Sequence, residues 1–378
     1  MPKILVIGNT LAAASAAEEI RRADPSSEVT LFCPEGVLPY NRCFLSSLVA
    51  KDIRESHAFP WHEKFFQERN IQVVLNESLA RISPKRKQIT TGNKAHLPYD
   101  KLLVTDLGSV KLPQVKGLHK KGVFDALHLA AAREIVKHLP FADHIMVPVT
   151  NFAGFDMACA LKRLGKEVAV LSSSKGGLLG EIFDDETSAL LRQITEAQGM
   201  PVIADEVEEV LGDAEVKAVR LRSGKVMAAE MVVFDQAFAD MKILAEAGLL
   251  EGDHADVMIC EQSLKDFNLP PEELIELGRW AGSHLLKGGS TEFQPPVVLR
   301  DFGHKVCDAF CGGILRLPEN GREHMKFDGP QNIYKKIYLL NDRLVGAVWF
   351  NALGEKDKVR HALAEKLSLA PGTEEQFL

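Results

Sequence analysis

Two stretches of this sequence place a glycine where an apolar run meets a helix-forming run. That arrangement lets backbone N–H groups approach a phosphate at a helix N-terminus. The first stretch reads Gly8-Asn9-Thr10-Leu11-Ala12-Ala13. In a dinucleotide fingerprint the first glycine makes the tight turn, the second admits the diphosphate, and the third lets the helix pack on its strand. Gly8 keeps the first role and Ala13 is a tolerated third position, but Thr10 stands where bare backbone is required. Its hydroxyl can donate one hydrogen bond, while its Cβ and methyl occupy room a diphosphate uses. The second stretch keeps only Gly154. Aligned on it, the two earlier glycine positions hold Val149 and Asn151, with Pro148 just before them. A β-branched residue at the tight turn is a steric conflict if its φ must be positive.

Two other groupings have chemical potential. Ser172-Ser173-Ser174-Lys175 follows an apolar run, where small hydroxyls and an ammonium could receive a ribose 2′-phosphate. A solvated loop is the simpler reading. His304, Cys307 and Cys311, with His324 as a fourth, are soft ligands of the kind zinc takes in closed tetrahedral sets. Their spacing is loose, and no metal site is expected. His57 and His62, around Trp61, read as surface residues.

The elements that would position these residues are legible as periods. Residues 4–7 form an apolar run, residues 11–22 are rich in helix formers with a face of small side chains, and residues 29–32 form a second apolar run. This is a βαβ unit whose alanines permit close approach to a sheet. The pattern restarts with a strand at 145–149, a helix at 152–164 ending at Gly165, and a strand at 168–171. Two such units about 140 residues apart predict an α/β chain with two Rossmann-like dinucleotide-binding domains. After about residue 290 the pattern turns strand-rich, and residues 333–340 and 344–350 flank Asn341-Asp342-Arg343 as a hairpin. A small α+β C-terminal domain is expected there. The predicted boundaries are 1–110 with 232–290 for the first domain, 111–231 for the second, and 291–378 for the third.

Composition narrows the function classes. Lys and Arg total 45 against 52 Asp and Glu, a formal charge of −7, which gives no basic surface for nucleic acid. No run of about 18 uncharged apolar residues exists, so no membrane span is expected. Six cysteines in 378 residues are too sparse for a disulfide scaffold, and the opening run reads as a buried strand and not a signal sequence. The expected setting is the cytoplasm.

One longer segment carries a family likeness. Glu35-Gly36-Val37-Leu38-Pro39-Tyr40-Asn41-Arg42-Cys43-Phe44-Leu45-Ser46 resembles the segment that runs under the flavin in pyridine nucleotide-disulfide oxidoreductases. Residues 99–104, Gly122-Val123-Phe124, residues 154–161 and the 334–348 region follow in the family's order. The nearest branch is that of rubredoxin reductases and the flavin portion of nitrite reductases. The resemblance implies FAD in the first domain, its adenosine ribose on Glu35, with Gly8, Thr10, Ala13, Tyr40, Asn41 and Arg42 around it. It implies NAD(P)H in the second domain at Gly154, with Asp156 facing the nicotinamide–flavin junction and Cys43 as a redox thiol under the flavin. Electrons would pass to a small redox protein, or to a thiol or other small-molecule acceptor, and the assembly would be a homo-oligomer.

Five family signatures are altered. Besides the two fingerprints, the Ala-Thr-Gly turn becomes Thr105-Asp106-Leu107. The later glycine-proline turn becomes Asp235-Gln236-Ala237. The late Gly-Asp pair that would hold the ribityl chain has no counterpart, Gly252-Asp253 lying too early in an acidic loop. Asp106 and Asp235 would repel phosphate if they point inward. Two readings follow. One is a flavoprotein oxidoreductase moving electrons from NAD(P)H through FAD. The other is a non-catalytic descendant of that fold, a scaffold or regulatory subunit with side chains in its phosphate channels.

Overall fold

A computed structural model describes residues 1–378 apart from 174–175, 237, 252–253, 266–268, 289–291, 304–305, 331–332, 353, 355 and 370–371. Ser174, Lys175, His304 and the Gly252-Asp253 pair therefore lie outside the described residues. The chain divides into two compact units. The first comprises residues 1–44, 54–113 and 237–295, and the second comprises 45–53, 114–236 and 296–378.

In the first unit, five parallel strands stand in the order Val257–Ile259, Lys101–Val104, Lys3–Ile7, Glu28–Phe32, Ile71–Val74. The Leu11–Ala23 helix connects the two strands that pair as Lys3↔Glu28 through Ile7↔Phe32. Its alanines at 13, 14, 16 and 17 are buried against Ile4, Val6, Val29 and Leu31 on one side and Ala281 and Leu285 on the other. Such small side chains let the helix lie close to both the sheet and the Pro271–Lys287 helix. This is the predicted βαβ unit, with the helix starting at the expected residue and running one residue longer.

The second unit repeats the arrangement. Its five parallel strands stand in the order Val202–Ile203, Glu167–Leu171, His144–Pro148, Met231–Phe234, Val123–Asp125. The Phe152–Arg163 helix follows the His144–Pro148 strand. The Met231–Phe234 strand belongs to this sheet, so the chain leaves the second unit after residue 236.

The same unit also holds a five-stranded antiparallel sheet of Leu299–Phe302, Ala309–Gly313, Arg343–Phe350, Ile333–Leu340 and Arg322–Asp328. Trp349, Phe310, Ile337 and Leu344 form its core with the Lys356–Ala364 helix. The expected hairpin is present. Arg343 opens its second strand, so the turn is the pair Asn341 and Asp342, both at positive φ (51° and 58°), which suits a two-residue connection. Among the described residues, no helix is long and apolar enough to cross a membrane.

Candidate functional site: two carboxylate-filled turns

In the first unit the Lys3–Ile7 strand ends at Gly8, whose φ of 150° and whose closeness to Thr105 suit only glycine. Asn9 follows, fully buried, and it organises the turn. Its Nδ2 donates to the Val37 carbonyl at 2.6 Å and its Oδ1 accepts the Glu35 N–H at 2.9 Å. Its own carbonyl accepts the Tyr40 N–H at 3.0 Å. The loop after the second strand is thereby tied to the turn after the first. Thr10 opens the Leu11–Ala23 helix without a side-chain cap hydrogen bond, and its hydroxyl oxygen lies 3.5 Å from that of Thr105. Ala13 is buried in the first helical turn.

The Asn9 N–H, one of the donors a diphosphate would use, donates instead to the Asp106 carboxylate at 3.2 Å. Asp106 reaches the turn from just beyond the Lys101–Val104 strand, which lies beside Lys3–Ile7 in the sheet. Its other oxygen accepts the Gly108 N–H at 3.0 Å. Arg42 Nη2 bridges Asp106 at 2.7 Å and Glu35 at 2.6 Å, and Tyr40 Oη donates to the second Glu35 oxygen at 2.7 Å. The side chains of Arg42, Glu35 and Asp106 are 3%, 8% and 2% exposed, so all three charges sit inside the protein. Burial pulls the Arg42 guanidinium down, but Asp106 and Glu35 outweigh it and hold the group charged, well above its ordinary value. Nearby, burial pushes the Cys33 thiol far up, reinforced by Glu35 and Asp106.

Glu35, Tyr40 and Arg42, expected around a cofactor, therefore face one another. Asn41 donates its N–H to the Ala58 carbonyl and accepts the Cys43 N–H on its side chain at 3.0 Å. Cys43 is half-buried, with Sγ 3.7 Å from the Leu269 carbonyl.

The second unit solves the same problem with fewer parts. Val149 does not adopt the positive φ that would strain it. Its N–H donates to the Leu171 carbonyl at 2.8 Å and extends the sheet by one residue. The steric conflict expected there is thus avoided by keeping the backbone extended. Thr150 N, Asn151 N and Thr150 Oγ1 then converge on the Asp235 carboxylate at 2.6, 2.8 and 2.9 Å. Asn151 caps the Phe152–Arg163 helix, its Oδ1 accepting the Ala153 and Gly154 N–H groups, while its Nδ2 donates to the Asp235 carbonyl. Gly154 makes room for this: a Cβ there would lie 2.2 Å from Asp235 Oδ2. The one surviving glycine of this fingerprint now accommodates a carboxylate. Burial pushes the Asp235 carboxyl up to about 7, against the pull of the Thr150 and Asn151 N–H groups.

Asp156 is not the exposed helix residue its position near a helix start allows. It is half-buried and accepts the Gly303 N–H at 2.7 Å, and burial pushes it up to about 6 against the pull of Arg300. Cys307 and Cys311 are buried, and burial pushes the Cys311 thiol up to about 12. His324 Nε2 lies 3.6 Å from Glu374, and no metal-holding group of His, Cys, Asp or Glu occurs among the described residues. Ser172 donates to the Gly177 carbonyl, and His57 and His62 are exposed.

Two five-stranded parallel sheets share one arrangement of four strands and differ in the edge strand, Val257–Ile259 coming last in its unit and Val123–Asp125 first; each has a helix starting beyond its central strand, and together they define a two-dinucleotide-fold scaffold. Residues 2–257 match the family described as pyridine nucleotide-disulphide oxidoreductase, and the chain belongs to that family. The chain is 25% identical over 386 residues to nitrite reductase [NAD(P)H] of Bacillus subtilis (strain 168), covering 94% of this chain and 46% of that protein. It is 25% identical over 250 residues to rubredoxin-NAD(+) reductase of Ectopseudomonas oleovorans, covering 65% of each. It spans about half the length of the first of these relatives. Among solved structures, the ferredoxin reductase for the CYP199A2 system from Rhodopseudomonas palustris superposes with a TM-score of 0.81 at 17% identity, covering 100% of this chain and 97% of that one. The NAD-dependent persulfide reductase from A. fulgidus gives 0.79 at 20%, covering 97% and 77%.

The family is one of FAD- and NAD(P)H-binding oxidoreductases, and the two turns of this chain do not fit those groups. The Asn9 amide already donates to Asp106, and the Thr150 and Asn151 amides to Asp235. A phosphate brought to about 4 Å from the Asp106 carboxylate, or from Asp235 once it is ionised above about pH 7, would meet a repulsion of about 4 kcal/mol at an effective dielectric of about 20. That is larger than the ~1.5–3 kcal/mol returned by one hydrogen bond to a charged group.

Proposed function

We propose that this chain is a non-catalytic member of the pyridine nucleotide-disulphide oxidoreductase family, a regulatory or scaffold subunit of an electron-transfer assembly. The observation that carries this reading is the Arg42–Asp106 pair at the first turn. It takes the Asn9 amide, and with Tyr40 it engages both oxygens of Glu35. The flavin-type site is thus occupied by the chain's own charged side chains. Relatives named as reductases of nitrite and rubredoxin support an electron-transfer setting, in which the partner is a small redox protein or a catalytic reductase subunit.

The test is the visible spectrum of the purified chain, followed by titration with FAD, NADH and NADPH. The reading expects no flavin bands, no flavin released on heating and no saturable quenching of FAD fluorescence. A stoichiometric flavin would restore the reductase reading.

A further inference from the structure

We propose that Asp106 and Asp235 are internal substitutes for nucleotide phosphate. Each is delivered from the end of the strand beside the first strand of its βαβ unit, and each completes a turn that would otherwise require an external anion. The inference rests on the non-catalytic reading and supplies a physical cause for it.

The two aspartates occupy equivalent places in the topology. Asp106 follows Lys101–Val104, the neighbour of Lys3–Ile7, and Asp235 follows Met231–Phe234, the neighbour of His144–Pro148. In both units the recipient is the backbone between the central strand and the N-terminus of its helix: Asn9 in one, Thr150 and Asn151 in the other. Amides at such a position point together and favour an anion. Left bare and buried they would each lack a partner.

The two sites differ in how the carboxylate is held. Asp106 is locked by the buried guanidinium of Arg42, whereas Asp235 has no ion-pair partner among the described residues. The second turn is therefore the one that an external anion can take over when its side chain is removed. Its donors are Thr150 N, Thr150 Oγ1 and Asn151 N, opening a 12-residue helix. The missing Cβ of Gly154 leaves the space clear. The chemical class of ligand is a diphosphate.

The experiment uses the full chain and its Asp235→Gly and Asp235→Ser variants with inorganic pyrophosphate at about pH 8, where Asp235 is ionised in the wild type. Binding is read by calorimetry and by the thermal midpoint, with circular dichroism reporting folding. Asp235→Ser keeps a small acceptor near Thr150 and serves if the glycine variant does not fold. Asp106→Gly is a second, independent arm at the first turn, with Arg42 left to attract the anion. The expected result is no midpoint shift for the wild type and a gain in pyrophosphate affinity of about 10-fold or more in the folded variants. Pyrophosphate binding by the wild type as tight as by the variants would overturn the inference, as would folded variants that gain nothing. A wild type free of flavin together with unresponsive variants removes this inference alone, whereas flavin in the wild type removes the functional reading.

Discussion

Arg42 and Asp106 are 64 residues apart in the chain and 2.7 Å apart in the fold, and Arg42 also holds Glu35 at 2.6 Å. A buried cation between two buried carboxylates is stable only as a set, because each charge compensates the desolvation of the others. The three side chains of the first turn are therefore electrostatically coupled.

Arg42→Met should destabilise the protein by about 3–5 kcal/mol, since it leaves two carboxylates buried without their cation. Replacing all three together, as Arg42→Met with Glu35→Gln and Asp106→Asn, should cost much less than the single change. Urea denaturation of both proteins checks this. A single variant as stable as the wild type would show that the trio is not a compensated set.

Gly154→Ala should push Asp235 out of its turn, because the new Cβ would stand 2.2 Å from Oδ2 and 2.5 Å from Cγ. The expected loss is about 1–3 kcal/mol. In an Asp235→Gly background the same alanine should cost far less, which a double-mutant cycle measures directly.

The pH dependence of stability follows from Asp235 and Asp156, pushed from an ordinary 3.8 up to about 7 and about 6 by burial. Between about pH 4 and 7 the folded chain holds protons that the unfolded chain has released. Stability contributed by these groups is thus fully present below about pH 4 and is lost as pH rises through 6 to 7. For Asp235 the span is on the order of 4 kcal/mol. Asp235→Asn should flatten the denaturation midpoint across this window, and a variant with the wild-type slope would assign the effect elsewhere.

Thr10→Gly should leave flavin binding absent. The threonine makes no cap hydrogen bond, so its removal should cost only a few tenths of a kcal/mol, but Asp106 still holds the Asn9 amide. Fluorescence titration with FAD checks this. Measurable binding by the single variant would identify threonine bulk, and not the aspartate, as the obstacle.

The local pattern of residues was sufficient for the two βαβ units, the helix that starts at Leu11 and the hairpin around Asn341, because apolar period, small-residue faces and turn propensity are short-range properties. It also exposed the altered fingerprints at Thr10, Val149 and Asn151, since a missing glycine is visible without a fold. The clamp that Asn9 makes on Glu35 and Val37 has no local signature beyond an amide side chain standing inside a glycine fingerprint. Where Asp106 and Asp235 point was decided only in three dimensions. Asp106 meets Asn9 across 97 residues, and Asp235 meets Thr150 across 85. Those meetings exist because parallel sheet order sets the end of one strand beside the start of another strand's helix. Whether a carboxylate there repels a ligand or replaces it depends on which amides and cations surround it, and only packing brings those together.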